Sequence, residues 1–416
     1  MPVDLPETAA DQQIPSPPKA IVWLGVFVMV MLAGVVLTLL TRPKDEPTTS
    51  VWFWVRLLVF PAIGGCAAFG LRLFYYDEEM TRLRAEKEAL ESDRAEATEF
   101  AQEPLAVLGT AYVTAMDAGS AGVAAAIAQK KRVLKASTPR SGENAVRHTA
   151  LALDEDEDEE RPGRYRPLFM QLLGQIKESL DSLPVDVPFA VRLQIPTDIE
   201  RGQVLKTWQT CWQQCGYRNA STLLLDPEQG LMALDEWLDI KGGPALENFT
   251  LFVSAQLHDE PPEKSAEAGV ALLIGWAPLA ERRGLKSVAL LHRPVQSDTA
   301  DFITSLPKAL LWGRTSGTQV NQVWETGLTG QDKAAFLTNS AALELQASKT
   351  EDFAGIHDID LALGNPGAAG AWLAVALAIE RAWRTAEPQL VLTRENALRL
   401  AVVQPIAYEH DMEIIQ

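Results

Sequence analysis

The side chains with the most reactive chemistry are few and poorly placed. Cys211 and Cys215 stand four apart on a predicted helix, beside Trp208 and Trp212. A zinc site would need two further ligands, and neither C-x-x-C spacing nor a neighbouring histidine supplies them. The pair reads as a half-buried core stripe. Cys66 lies in an apolar run, so the three cysteines form no disulfide framework. The five histidines (His148, His258, His292, His357 and His410) are scattered, none beside a serine or cysteine nucleophile motif. The glycine run 364–370 (GNPGAAG) could cradle an anion at the start of the following helix. It lacks the Walker lysine and the full dinucleotide spacing, so close helix packing explains it. The acidic run 154–160 lacks the ligand spacing of a calcium loop. On its residues the chain holds no catalytic set, no metal site and no cofactor motif.

The elements that would position any site begin with an anchor. Residues 20–40 carry no charge and are long enough to cross a ~30 Å hydrocarbon core. A second span, 51–73, is bracketed by Trp52 and Trp54 at one end and by Tyr75 and Tyr76 at the other, as interfacial aromatics are. Arg56 lies near enough to the span's start to snorkel outward. Pro61 predicts a kink, and Gly64, Gly65 and Gly70 offer small faces to Gly25 and Gly34. Residues 20–73 are therefore expected to be a transmembrane hairpin behind a polar leader, 1–19. Basic residues after the second span (Arg72, Arg82, Arg84, Lys87, Arg94) outnumber those of the connector (Arg42, Lys44). That bias predicts two passes, with both termini in the cytoplasm. The net charge of −18 excludes a nucleic-acid partner, which needs a basic face.

Residues 74–103 read as a helical stalk. Beyond it, strand and helix periods alternate, the mark of an α/β architecture. Strands are predicted over 104–115, 187–195, 221–225, 248–256, 269–276, 287–292, 319–325, 389–392 and 397–403. Helices are predicted over 123–135, 167–183, 199–216, 229–240, 301–311 and 367–384. The acidic insertion, about 137–167, has too few apolar residues to repay ordering, so it reads as disordered and dispensable for folding. Residues 406–416 form a tail.

Four segments carry a family resemblance: 105–114 (LAVLGTAYVT), 266–274 (AEAGVALLI), 320–329 (VNQVWETGLT) and 364–376, which opens on the glycine run. Their order and separation resemble the thiolase-like fold of β-ketoacyl synthases. The resemblance implies two similar α/β halves, 104–260 and 265–405, in a five-layer αβαβα block. It also implies a cysteine nucleophile at the start of a helix in the first half, where this chain reads LDPEQG over 225–230. The two catalytic histidines would fall near Thr326 and Asn365. None of the three positions holds the residue that condensation requires, so a pseudoenzyme with a degenerate active site is expected.

The whole layout is similar to the adaptor proteins that serve lipase effectors of bacterial type VI secretion systems. The resemblance implies an inner-membrane location and a protein cargo, a lipase effector to be handed to the spike component. The bilayer would be met through the hairpin. The alternatives are an acyl-transfer or lipid-metabolism enzyme on the same scaffold and a structural subunit of a membrane complex, since fold alone confers no function.

Overall fold

The computed structural model describes residues 16–41, 50–116, 119, 122–137, 145–153 and 161–406. The chain divides near residue 98 into two compact units. In the N-terminal unit the helix Ala20–Leu40 buries none of its residues, and Ile21 and Leu40 are almost bare. A second helix starts at Val51, passes through a π-helical turn at Val55–Val59 and continues as Phe60–Ala101. The widened turn sits directly before Pro61, whose missing N–H interrupts the ordinary ladder there. Gly34 packs on the Pro61 ring and Gly65 on Phe27, while Gly25, Gly64 and Gly70 meet nothing. The expected set of small-residue contacts thus narrows to two. Both helices are long and apolar enough to cross a membrane.

The C-terminal unit is built twice from one pattern. In chain order the first half has strands β1 (Leu105–Thr114), β2 (Phe189–Gln194), β3 (Ser221–Leu224), β4 (Phe249–Gln256) and β5 (Ala268–Trp276). The second half has β6 (Ala289–Leu291), β7 (Gln322–Thr326), β8 (Ile356–Asp358), β9 (Gln389–Arg394) and β10 (Leu398–Pro405). Side by side the first five run β3-β2-β4-β5-β1 and the second five β8-β7-β9-β10-β6, which is the same order. In each half the fifth strand runs antiparallel to the other four. Three antiparallel pairs between β1 and β6 join the halves into one sheet that ends in β3 and β8, with the short strand Val295–Ser297 pairing β10 off this path.

Three cores define five layers. Helices Arg161–Gln175 and Arg201–Gln214 cover the outer face of the first sheet through Phe169, Trp208 and Cys211. Helices Phe302–Trp312 and Gly330–Ala342 cover the outer face of the second through Phe302 and Phe336. Between the sheets lie Met232–Leu238 and Gly370–Thr385, the latter buried almost without a break from Gly370 to Ile379. A helix apolar all round belongs in such a middle layer. This is the αβαβα block the resemblance implies.

The expected halves need one correction. β5 lies between β1 and β4, so the first half runs to Trp276 and the second starts at β6; a boundary at 265 would remove an inner strand from its sheet. The insertion needs another. Val146–Thr149 is a strand, antiparallel to Lys135–Ser137 and parallel to Ser265–Ala266, and a helix already starts at Arg161. The buried Arg164 guanidinium holds Glu267 at 2.8 Å, and Glu267 accepts the amides of Leu151 and His258. Such long-range charge pairing orders sequence that composition alone assigns to solvent. Residues 138–144 and 154–160 of that expected insertion lie outside the described residues. The helix expected over 123–135 stops at Ala128, because Lys130 turns left-handed at φ 60.

Candidate functional site

The loop 225–230, where a thiolase-like nucleophile would stand, leaves β3 and enters the middle-layer helix Met232–Leu238. Gly230 has φ +45, and a Cβ there would overlap the side chains of Glu395 and Arg399. Those two residues come from the turn and strand at the β9–β10 connection. The fully buried Arg399 guanidinium pairs with the Glu395 carboxylate and donates to the Glu228 carbonyl. Burial pushes its pKa down from the usual arginine value, the expected response of a cation removed from water. Gln194 donates to Glu395 at 3.2 Å and accepts the Trp372 indole N–H at 2.6 Å. Trp372 in turn stacks on Phe252 at 4.8 Å. Charge, amide and indole are therefore committed to one another at this position.

Thr326, the place of the first expected histidine, ends β7. Its hydroxyl donates to Asp360 at 2.6 Å, and the Gly327 amide donates to the other oxygen at 2.8 Å. Burial raises the Asp360 pKa, with both hydrogen bonds opposing. A Cβ on Gly370 would lie 3.3 Å from the Thr326 hydroxyl, so Thr326 abuts the start of the helix that carries Trp372. A contact path thus joins Thr326 to the 225–230 loop.

Asn365, the place of the second histidine, is exposed, and its side chain accepts the Gly367 amide at 2.8 Å in a local turn. Its backbone bonds Lys264 and Ala266 on either side of Ser265. The Ala368 amide donates to Gln256 at 3.0 Å, and Ser254 donates to the Ala368 carbonyl at 2.8 Å. Gly364 has φ +100, and a Cβ there would run into the Ser265 carbonyl. The run is thus a packing device, as read from its sequence, and these amides are spent on protein partners rather than on an anion.

Behind this second loop lies a group the sequence reading did not assemble. His148 sits 2.9 Å from the Ser265 hydroxyl, which donates to Pro262, and its ring meets His258 edge-on at 5.6 Å. Burial lowers the pKa of both imidazoles, that of His258 to about 4. Nothing local could have signalled it, because the two histidines are 110 positions apart in the chain. The cysteine pair sits as expected in the outer helix layer. Burial raises both thiols, Cys211 to about 11, which keeps them protonated and unreactive.

No protein-family model and no curated protein matches this sequence. Solved structures do match, ketosynthases among them. The ishigamide ketosynthase/chain length factor superposes with TM-score 0.50 at 15% identity, over 73% of this chain and 99% of that one. An oxazolomycin ketosynthase domain of Streptomyces albus gives 0.51 at 13% identity, over 73% and 96%. The ketosynthase from module 6 of the bacillaene synthase of Bacillus subtilis gives 0.54 at 10% identity, over 73% and 72%. At such identities the likeness establishes the fold, which is thiolase-like and ketosynthase-like.

Proposed function

We propose that this chain is a non-catalytic binding protein on a ketosynthase-like scaffold, tethered to the bacterial inner membrane by the 20–73 hairpin with both termini in the cytoplasm. In this reading it is an adaptor that holds a type VI secretion lipase effector for transfer to the spike. The observation that carries it is the packing of the loop where the resemblance would put a nucleophile. The Arg399–Glu395 pair and the Gln194–Trp372 bridge crowd the space around Gly230, and Thr326 and Asn365 are the residues at the two positions where the resemblance implies histidines. The bare apolar side chains of Ala20–Leu40 support the tether.

The full chain, held in lipid nanodiscs, is expected to bind purified lipase effector encoded beside its gene, and deletion of the gene to abolish secretion of that effector. Normal secretion without it removes the adaptor role. The second reading, acyl transfer, draws on the ketosynthase likeness. Incubation with acyl-CoA followed by intact-mass analysis separates the two. An acyl adduct that persists in a Cys211→Ala, Cys215→Ala chain would locate an unrecognised nucleophile and favour the enzyme.

A further inference from the structure

A cleft of about 310 Å³ opens between residues 127–132 of the first half and residues 325–362 of the second. Its floor is apolar: Ile127, Phe336, Leu337 and Ile356. Two large apolar side chains on its wall, Phe353 and Leu361, remain 50% and 47% exposed. One rim carries Lys130, Lys131 and Arg132, three consecutive cations in a chain of net charge −18. The wall carboxylates Glu325 and Asp358 are both engaged by Lys333, the first at 2.9 Å. Asp352 stands on the wall as well, so the positive excess gathers at the rim.

The backbone around the cleft is strained. Lys130, Asp352 and Phe353 all have φ near +50 to +60, a left-handed region unfavourable to residues with a Cβ. Lys130 ends its helix in a Schellman turn, with its amide on Ile127 and that of Lys131 on Ala126, where glycine is the favoured residue. These three are among seven such residues in the described structure, and they line one cleft. Strain of this kind gathers where side chains must be aimed.

We infer that this cleft is a binding site for a small amphipathic carboxylate, its apolar tail on Phe336, Leu337 and Leu361 and its anionic head at Lys130 and Arg132. The volume falls at the small end of ligand sites, and a lining that joins apolar side chains to charged ones suits a ligand with both characters. The site stands apart from the adaptor reading and survives or fails independently of it.

The probe is 4-phenylbutyrate, titrated calorimetrically into the full chain in nanodiscs against empty nanodiscs, with 4-phenylbutanol and 4-phenylbutylamine as neutral and cationic matches. The expected result is saturable one-to-one binding, at least tenfold weaker for the alcohol and weaker still for the amine. A Lys130→Glu, Arg132→Glu chain should lose at least tenfold in affinity. Leu361→Trp, at an exposed position that folding tolerates, should block the tail. No saturable binding above the empty discs overturns the proposal. So does equal affinity for acid and alcohol, or unchanged affinity in a folded Leu361→Trp chain.

Discussion

The two loops that feed the middle layer, 225–231 and 364–369, stand at equivalent places in the two halves, and each is clasped by the opposite half. The first is held by charge: Arg399 reaches across to the Glu228 carbonyl with Glu395 at its side. The second is held by neutral groups: Gln256 and Ser254 take the amide and carbonyl of Ala368, and the backbone around Ser265 takes Asn365. The topology is duplicated while the chemistry of the clasps is not. A buried ionic clasp cannot be dismantled by halves, because removing one partner strands the other charge. A neutral clasp loses only its hydrogen bonds.

That difference ranks the outcomes of mutation. Arg399→Ala should cost about 3–5 kcal/mol, since Glu395 is left partly buried without its cation; chemical denaturation of the purified chain measures it. A loss below ~1 kcal/mol would mean that the clasp is not ionic in any energetic sense. Gly364→Ala should come next, at roughly 2–4 kcal/mol, from left-handed strain added to collision with the Ser265 carbonyl. Gln256→Ala should cost less, about 1–3 kcal/mol, the usual penalty for leaving buried amide and carbonyl groups unpaired.

The smallest effect is one of pH, and it belongs to the neutral clasp. His148 and His258 have folded pKa values below the unfolded ~6.5. The unfolded chain therefore takes up protons more readily, so their contribution is intact above pH 6.5 and declines as pH falls toward about 4, the folded value of His258. Going from pH 7 to 6 should cost roughly 0.7 kcal/mol through His258, with His148 acting in the same direction. A His258→Gln chain should flatten that slope. An unaltered slope would place the pH sensitivity elsewhere, with His292 and His357 the other imidazoles that burial holds at about 4.

Much of the fold was legible because β1, β4 and β5 are long buried runs and Gly370–Ile379 is apolar all round. Helix Gly330–Ala342 escaped notice because Phe336 is its only large buried apolar residue. β8 has only three residues, too few for a period to show. The order of Val146–Thr149 is invisible in composition because its side chains are held by residues more than a hundred positions away. That the loop 225–230, Thr326 and Asn365 offer neither cysteine nor histidine could be read from the sequence. The partners that hold these loops could not: Arg399 reaches its carbonyl across 171 positions and Gln256 its amide across 112. Deleting residues 147–160, which composition presents as harmless, would remove the hydrogen bonds of His148, Thr149 and Leu151.

The sheet's two rims bear on how the molecule behaves in a crowd. An open edge is a template on which a second chain can add a strand, and the danger grows with its length. Here the rims are β3 and β8, four and three residues long, against ten in β1. Neither offers enough ladder to seed a fibril. Self-association at high concentration should therefore take the form of helices clustering through the bare faces of Ala20–Leu40, and a mild detergent should reverse it where no strand-based aggregate would yield.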